Sequence, residues 1–419
     1  MAVVQGPSKT TGAPGQSGQS GPTDADLLFR EAKQRERRRR LAWLGAVVIV
    51  AGLVAVIIEA TRPSPTSPPH SSTVESPASS KTSIESLTFP GPFVPEQVVS
   101  ADGTVWVLGS NGPQSCSIEQ VDPMTLQHHI YPISACGDYM ALGNGLIYIA
   151  GDVSSINSDE FHLEIFNPTT KHATVMNPVI VTTQGSGRAH MDMTYGAGSI
   201  WMTYWGSELV QVSPSTGAII HRITNAPPSE GGHGTIVANG GGLWIAEGAG
   251  SAAAIYRLAN NSQTLSTIYS GPAHSSVLWL SSIGSTVWAD VASGSDGHPV
   301  LSTRLIAFDQ SGVPILEGPS EPFGDVPLVG SKDGLWSIGS GAICSAPQRL
   351  WKIDPADGRS TDITALRTPI EPCLTENPTT SQITVVNRSV FVLEATGATR
   401  PAAVLYRVQV EMKAGRTSN

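Results

Sequence analysis

The chain has 419 residues, 40% of them apolar and 14% charged, with 34 acidic against 25 basic side chains and a formal net charge of −9. The imbalance is uneven: residues 62–419 carry 29 acidic and 17 basic side chains, a net of −12. That solvated acidic surface argues against DNA, RNA or another polyanion as the main partner.

Residues 1–23 are dominated by Gly, Ser, Pro, Gln and Thr, too poor in large apolar groups to build a core, and are expected to be a disordered tail. Residues 24–40 (DADLLFREAKQRERRRR) predict a basic juxtamembrane helix. From Leu41 to Ile58 there are eighteen residues without a charge, enough at about 1.5 Å per residue to cross a hydrocarbon core with snorkelling flanks. Arg37 to Arg40 stand directly before this run, whereas Arg62 alone follows closely, so the bias places the N-terminus in the cytoplasm and the rest outside. A cleaved signal peptide is the competing reading; forty residues ahead of the run and Ile58-Glu59-Ala60 at its end disfavour it. The expectation is an uncleaved signal-anchor, a single-pass protein of the cell membrane. Residues 61–83 are a Pro/Ser/Thr-rich stalk.

Beyond the stalk one pattern recurs seven times: a glycine-rich turn, an aromatic-centred apolar strand, then a second strand ending in a polar turn. DGTVWVLG (102–109), AGSIWMTYW (197–205), GGLWIAEG (241–248), STVWADV (285–291) and DGLWSIG (333–339) are the clearest copies, and 145–149 and 389–393 are weaker ones. The marker positions read as Trp106, Ile147, Trp201, Trp244, Trp288, Trp336 and Phe391, spaced 41 to 55 residues apart. Repeats of that length made only of short strands predict an all-β, seven-bladed β-propeller of four-stranded blades over 84–412, with 413–419 a loose tail. Within each blade the strands a to d run outward from a central channel. The a–b and c–d turns share one face, and the longer b–c and d–a loops share the other. The tryptophans on strand b read as inter-blade core. The seventh copy lacks a strand d, and Ile84–Val94 has no blade of its own, so this segment is expected to supply the missing strand and close the ring.

The four cysteines fall in loops of the same face: Cys116 and Cys136 in blade 1, Cys344 and Cys373 in blade 6. The expected disulfides are therefore Cys116–Cys136 and Cys344–Cys373, and the spacing fits no zinc motif. Asn260-Asn261-Ser262 and Asn387-Arg388-Ser389 match the glycosylation sequon. No Gly-x-Ser-x-Gly, phosphate loop, HExxH or vicinal cysteine pair occurs.

Gly241–Glu247 (GGLWIAE) and the turn Leu350–Gly358 (LWKIDPADG) resemble the repeats of the YVTN, NHL and virginiamycin B lyase-like propellers. The resemblance spans 95–410 and implies the fold; activities within such families differ widely. Four residues stand out against it. His190 and His233 each lie eleven residues before a marker tryptophan, Asp325 eleven before Trp336, and His274 fills the corresponding d–a loop of blade 5. All four are expected at the channel mouth on the loop-rich face, where three imidazoles and a carboxylate suit either ligand contact or a divalent metal. Polar lining of a wet channel, with the histidines bonded to backbone or water, is the plainer reading. The lyase resemblance implies His233 and His274 as catalytic candidates and metal ligands together with His190; Glu247 is the nearest glutamate to the one it requires. Two functions follow: a membrane-anchored module binding an unknown protein or small molecule, with no cofactor, or a metal-dependent lyase or hydrolase.

Overall fold

Gly, Asn and Asp at the tips of paired apolar runs dictate the architecture. In a computed structural model the described residues are 82–91, 93–112, 115–134, 137, 139–152, 160–176, 179–180, 191–204, 208–224, 226, 235–247, 252–260, 262–293, 302–321, 327–339, 349–366, 381–394 and 403–410. All regular structure among them is strand, and no helix there is long and apolar enough to cross a membrane. The basic helix, the span 41–58, most of the stalk and the C-terminal tail lie outside the described residues.

The strands form seven antiparallel sheets. A leading strand β1 (Thr82–Thr88) precedes blade 1, which holds β2 (Val94–Ala101), β3 (Thr104–Ser110), β4 (Cys116–Val121) and β5 (His128–Ile133). Blade 2 holds β6 (Tyr139–Gly143), β7 (Leu146–Asp152) and β8 (Glu160–Asn167), with β9 (His172–Val175) and β10 (Val179–Ile180) sharing the outer position. Asn177-Pro178 lies between those two pieces, and a proline has no N–H for the ladder. Blade 3 comprises β11 (Met191–Gly196), β12 (Ser199–Tyr204), β13 (Glu208–Val212) and β14 (Ile219–Thr224). Blade 4 comprises β15 (Ile236–Asn239), β16 (Gly242–Glu247), β17 (Ala252–Ala259) and β18 (Ser266–Ala273). Blade 5 is β19 (Ser275–Ile283), β20 (Thr286–Ser293), β21 (Ser302–Phe308) and β22 (Pro314–Glu321). Blade 6 is β23 (Leu328–Ser331), β24 (Gly334–Gly339), β25 (Arg349–Ile353) and β26 (Ser360–Ala365). Blade 7 takes β27 (Ser381–Val386), β28 (Ser389–Glu394) and β29 (Val404–Val410) from the end of the chain, and its outer strand is β1.

The ring is closed. Each innermost strand touches the next, from β2 through β6, β11, β15, β19, β23 and β27 and back to β2. The closing segment is shorter than Ile84–Val94: β1 runs Thr82↔Val410 to Thr88↔Val404, and Val94 already opens strand a of blade 1. Between them the chain turns at Gly91 (φ 74°), and Phe89 and Phe93 plug the interface of blades 7 and 1.

All seven a–b connections are two-residue hairpins. In blades 1, 2, 3 and 7 both tip residues have positive φ (Asp102-Gly103, Asn144-Gly145, Ala197-Gly198, Asn387-Arg388), the mirror-image turn whose twist matches the strands. The marker is then the third residue past the tip, and in blade 2 that is Tyr148, not Ile147. Tyr148 packs on Met193, Ile200 and Met202 of blade 3, as every other marker packs on the following blade, whereas Ile147 faces back to Trp106. A one-residue slip in a strand exchanges its faces, and here both faces are apolar. Seven clusters, one per interface, form the core in place of a single centre.

The c–d turns repeat one device. The oxygen of Asp122 accepts the N–H groups of Met124 and Thr125, both at 2.8 Å, and that of Asn167 accepts those of Thr169 and Thr170. Asp309 and Asp354 do likewise in blades 5 and 6. These backbone donors hold the Asp122 carboxyl below its ordinary value, and the Ser311 hydroxyl leads the same effect at Asp309.

Candidate functional site

Strand alternation puts the two-residue hairpins and c–d turns on one face, so every longer connection emerges on the other. There the chain crosses from Ser293 to Ser302, Gly339 to Arg349, Ile180 to Met191, Thr224 to Ile236 and Ala365 to Ser381. Blade 5 is entered differently: His274 alone links β18 to β19, exposed and with φ 61°. It stands in the d–a connection that its sequence position indicates. His190, which directly precedes β11, and His233 and Asp325, which shortly precede β15 and β23, lie outside the described residues. Among the described residues no three potential metal ligands cluster.

Glu247 closes β16, and its carboxylate accepts the Tyr256 hydroxyl at 2.8 Å. Burial, and then this carboxylate, push the Tyr256 phenol up to about 12, so the hydroxyl stays a neutral donor. Cys116 is the first residue of β4 and not a loop residue; it is buried and disulfide-bonded. Cys136, Cys344 and Cys373 are outside the described residues.

Around the channel, side chains of the inner strands staple several blades to the next. The Gln97 amide oxygen accepts the N–H of Met140, and that of Gln382 accepts the N–H of Val98 at 3.3 Å. Asp192 does most. One carboxylate oxygen takes the N–H of Met193 at 2.8 Å; the other takes the N–H groups of Thr235 and Ile236 at 2.6 and 3.0 Å and the Thr235 hydroxyl at 3.2 Å. Burial nevertheless dominates, and pushes the carboxyl up to about 6 against the pull of these donors. Between blades 5 and 6, at another level, the Ser281 hydroxyl accepts the Gly330 N–H at 2.8 Å. Blades 2 and 3 meet through rings instead: Tyr148 and Tyr195 stack with centroids 5.4 Å apart, and Asn144 donates to the Tyr195 hydroxyl.

The staples were not among the residues singled out from sequence, yet a signal exists. Gln97, Asp192 and Gln382 each lie nine residues before their blade's marker, at 106, 201 and 391. Their chemistry is structural: they fix the spacing and tilt of the inner strands, and hence where the long loops leave the ring.

No family model and no curated protein matches the chain. Among solved structures it is similar to the β-propeller domain of the Trilobed protease from Pyrococcus furiosus, at 8% identity and a TM-score of 0.49 over 75% of this chain and 93% of that one. It is also similar to the RRP9 WD40 repeats (10% identity, TM-score 0.49, 78% of this chain and 97% of that one). A third is U3-55K (11%, 0.48, 77% and 98%). The resemblance to YVTN, NHL and virginiamycin B lyase-like repeats finds no counterpart here, and the chain's own strand pairing defines it as a seven-bladed β-propeller.

Proposed function

We propose that this chain is a single-pass membrane protein, anchored by residues 41–58 with its N-terminus in the cytoplasm, that displays the propeller outside as a ligand- or protein-binding and scaffolding module. Its binding surface is the loop-rich face, with His190, His233, His274 and Asp325 at the channel mouth and the disulfides Cys116–Cys136 and Cys344–Cys373 bracing the loops. The observation that carries this reading is the contrast between the faces. One carries two-residue hairpins and c–d turns of at most six residues, while the other receives every connection of seven residues or more. Loops on a rigid scaffold are where recognition residues concentrate. A photo-crosslinking residue at His274 is expected to capture a partner from intact membranes, and one at exposed Met124 on the hairpin face to capture none. Capture from position 124 alone overturns the assignment.

The matched spacing of His190 and His233 before their tryptophans supports a second reading, a metal-dependent lyase or hydrolase of the virginiamycin B lyase-like kind. Metal analysis separates the two. Stoichiometric divalent metal, lost on combining His233→Ala with His274→Ala, supports the enzyme; metal-free protein with unchanged partner capture supports the module.

A further inference from the structure

The hairpin face is not uniform: it is notched between blades 3 and 4. A cleft of about 340 Å³ opens there, entered between the a–b hairpin of blade 3 at Gly196 and Ala197 and the c–d turn of blade 4 at Asn260, Ser262 and Gln263. The same notch between blades 1 and 2 shows what makes the difference. Both begin from one cross-strand row, Trp106–Gln120–His129 in blade 1 and Trp201–Gln211–His221 in blade 3. In the first, Tyr131 and Phe166 pack on the indole with centroids 6.1 and 5.1 Å away, and the Lys171 ammonium caps it at 4.5 Å. The corresponding residues in the second are Ile223, Leu258 and Gln263, each smaller or shorter. Trp106 is fully buried; Trp201 keeps 7% of its surface exposed.

The lining decides what fits. The floor is apolar, built of Trp201, Leu243 and Leu258. Trp201 spends its Nε1–H on the Gly196 carbonyl at 3.2 Å, which leaves its indole to contact a ligand through carbon. The walls carry amides, a hydroxyl and an imidazole, and among the described residues no Asp, Glu, Lys or Arg lines the cleft. The side chains of His221 and Gln263 make no hydrogen bond with the described residues, and Gln211 holds Ser199 with its amide nitrogen at 2.8 Å, keeping its oxygen as an acceptor. Such a site offers an aromatic platform and neutral donors and acceptors at its rim. It opposes a charged ligand, whose lost hydration nothing in the lining would replace. A pyranose has the matching chemistry, with C–H groups for the indole and hydroxyls for the amides. We propose that this cleft binds a neutral sugar residue, on the face opposite the loop-rich surface and independently of what that surface does.

Saturation-transfer NMR of the full chain with methyl glucoside, methyl galactoside and methyl mannoside tests it, with glucuronate as the charged control. At least one neutral glycoside is expected to receive saturation through its ring protons and to bind at millimolar concentration. Gln263→Lys, which writes the blade 2 cap into an exposed turn, is expected to weaken binding at least tenfold, and Ile223→Tyr, which restores the blade 1 plug, to do the same independently. Transfer to none of the three neutral glycosides overturns the proposal. So does glucuronate binding as tightly as they do, or unchanged affinity in both plugged variants.

Discussion

Buried indole nitrogens divide the blades into two groups. Trp201, Trp244 and Trp336 each donate to the residue five positions back, at 3.2 Å in every case: the Gly196 carbonyl, the Asn239 side chain and the Ser331 hydroxyl. Trp106 and Trp288 have Ala101 and Ile283 there, and their Nε1 groups find no hydrogen-bond partner among the described residues. A buried donor left unsatisfied costs about 1–3 kcal/mol. Ala101→Ser is therefore expected to stabilise the ring by about 1 kcal/mol in urea unfolding, and no gain would show that Trp106 is already satisfied. Asp192 acts in the opposite direction across the pH scale. Its folded-state value of about 6 lies above the ordinary 3.8, so its contribution to stability is fully present below about 4 and lost as pH rises through 6. The difference corresponds to roughly 3 kcal/mol. Asp122 and Asp309, held low, contribute stability that is lost as pH falls, so the Asp192 term has to be isolated by difference. The gap in unfolding free energy between the parent and Asp192→Asn is expected to change between pH 4 and 7; a constant gap would mean the carboxylate stays ionised throughout.

Among the elements, β1 has the largest consequence for its size. Seven residues complete blade 7, and Arg407 of β29 locks them, its guanidinium meeting the Glu85 carboxylate and the carbonyls of Pro123 and Met124 in the c–d turn of blade 1. Arg407 is 4% exposed, and Arg407→Met leaves the carbonyls of Pro123 and Met124 without their donor while the half-exposed Glu85 carboxylate returns to water; it is expected to cost about 1–3 kcal/mol in thermal or urea unfolding. A chain beginning at residue 92 should expose the edge of β29 and self-associate, and a separate peptide of residues 82–91 should return it to a monomer with higher Tm. A peptide carrying Asp at positions 84, 87 and 89 should not. The existence of this closing strand was legible because the last repeat runs out of apolar sequence while an orphan apolar segment precedes the first. Its bounds were not, since Phe89 and Phe93 extend the apolar pattern although they belong to the plug. The marker of blade 2 was obscured for a related reason: Leu146 to Ala150 is apolar on both sides, and only the Asn144-Gly145 tip fixes which residue faces forward. Of the proposed site, His274 was legible from its loop, whereas Gln97, Asp192 and Gln382 look in sequence like the solvated side of a strand.

For the molecule as a whole, closure of the ring decides how it holds together. Peptide mapping without reductant is expected to join Cys116 to Cys136 and Cys344 to Cys373, and reduction to lower stability by about 3 kcal/mol for each bridge; scrambled pairs would refute the placement of those loops. Each staple spans one joint, with Gln97, Asp192, Ser281 and Gln382 each accepting from the following blade, so loss of a staple weakens a single joint of the ring. The closure has a temporal side. Glu85 and Arg407 are 322 residues apart in sequence, so the first of the described strands to leave the ribosome must wait for the last of them before it has a partner. Until then blade 7 cannot form, and joining ends so distant costs on the order of 5 kcal/mol of chain entropy. Pairing across so long a separation makes the meeting of the first and last strands of the propeller the step expected to limit its folding, which a refolding rate raised by joining 82–91 directly after residue 410 would reveal.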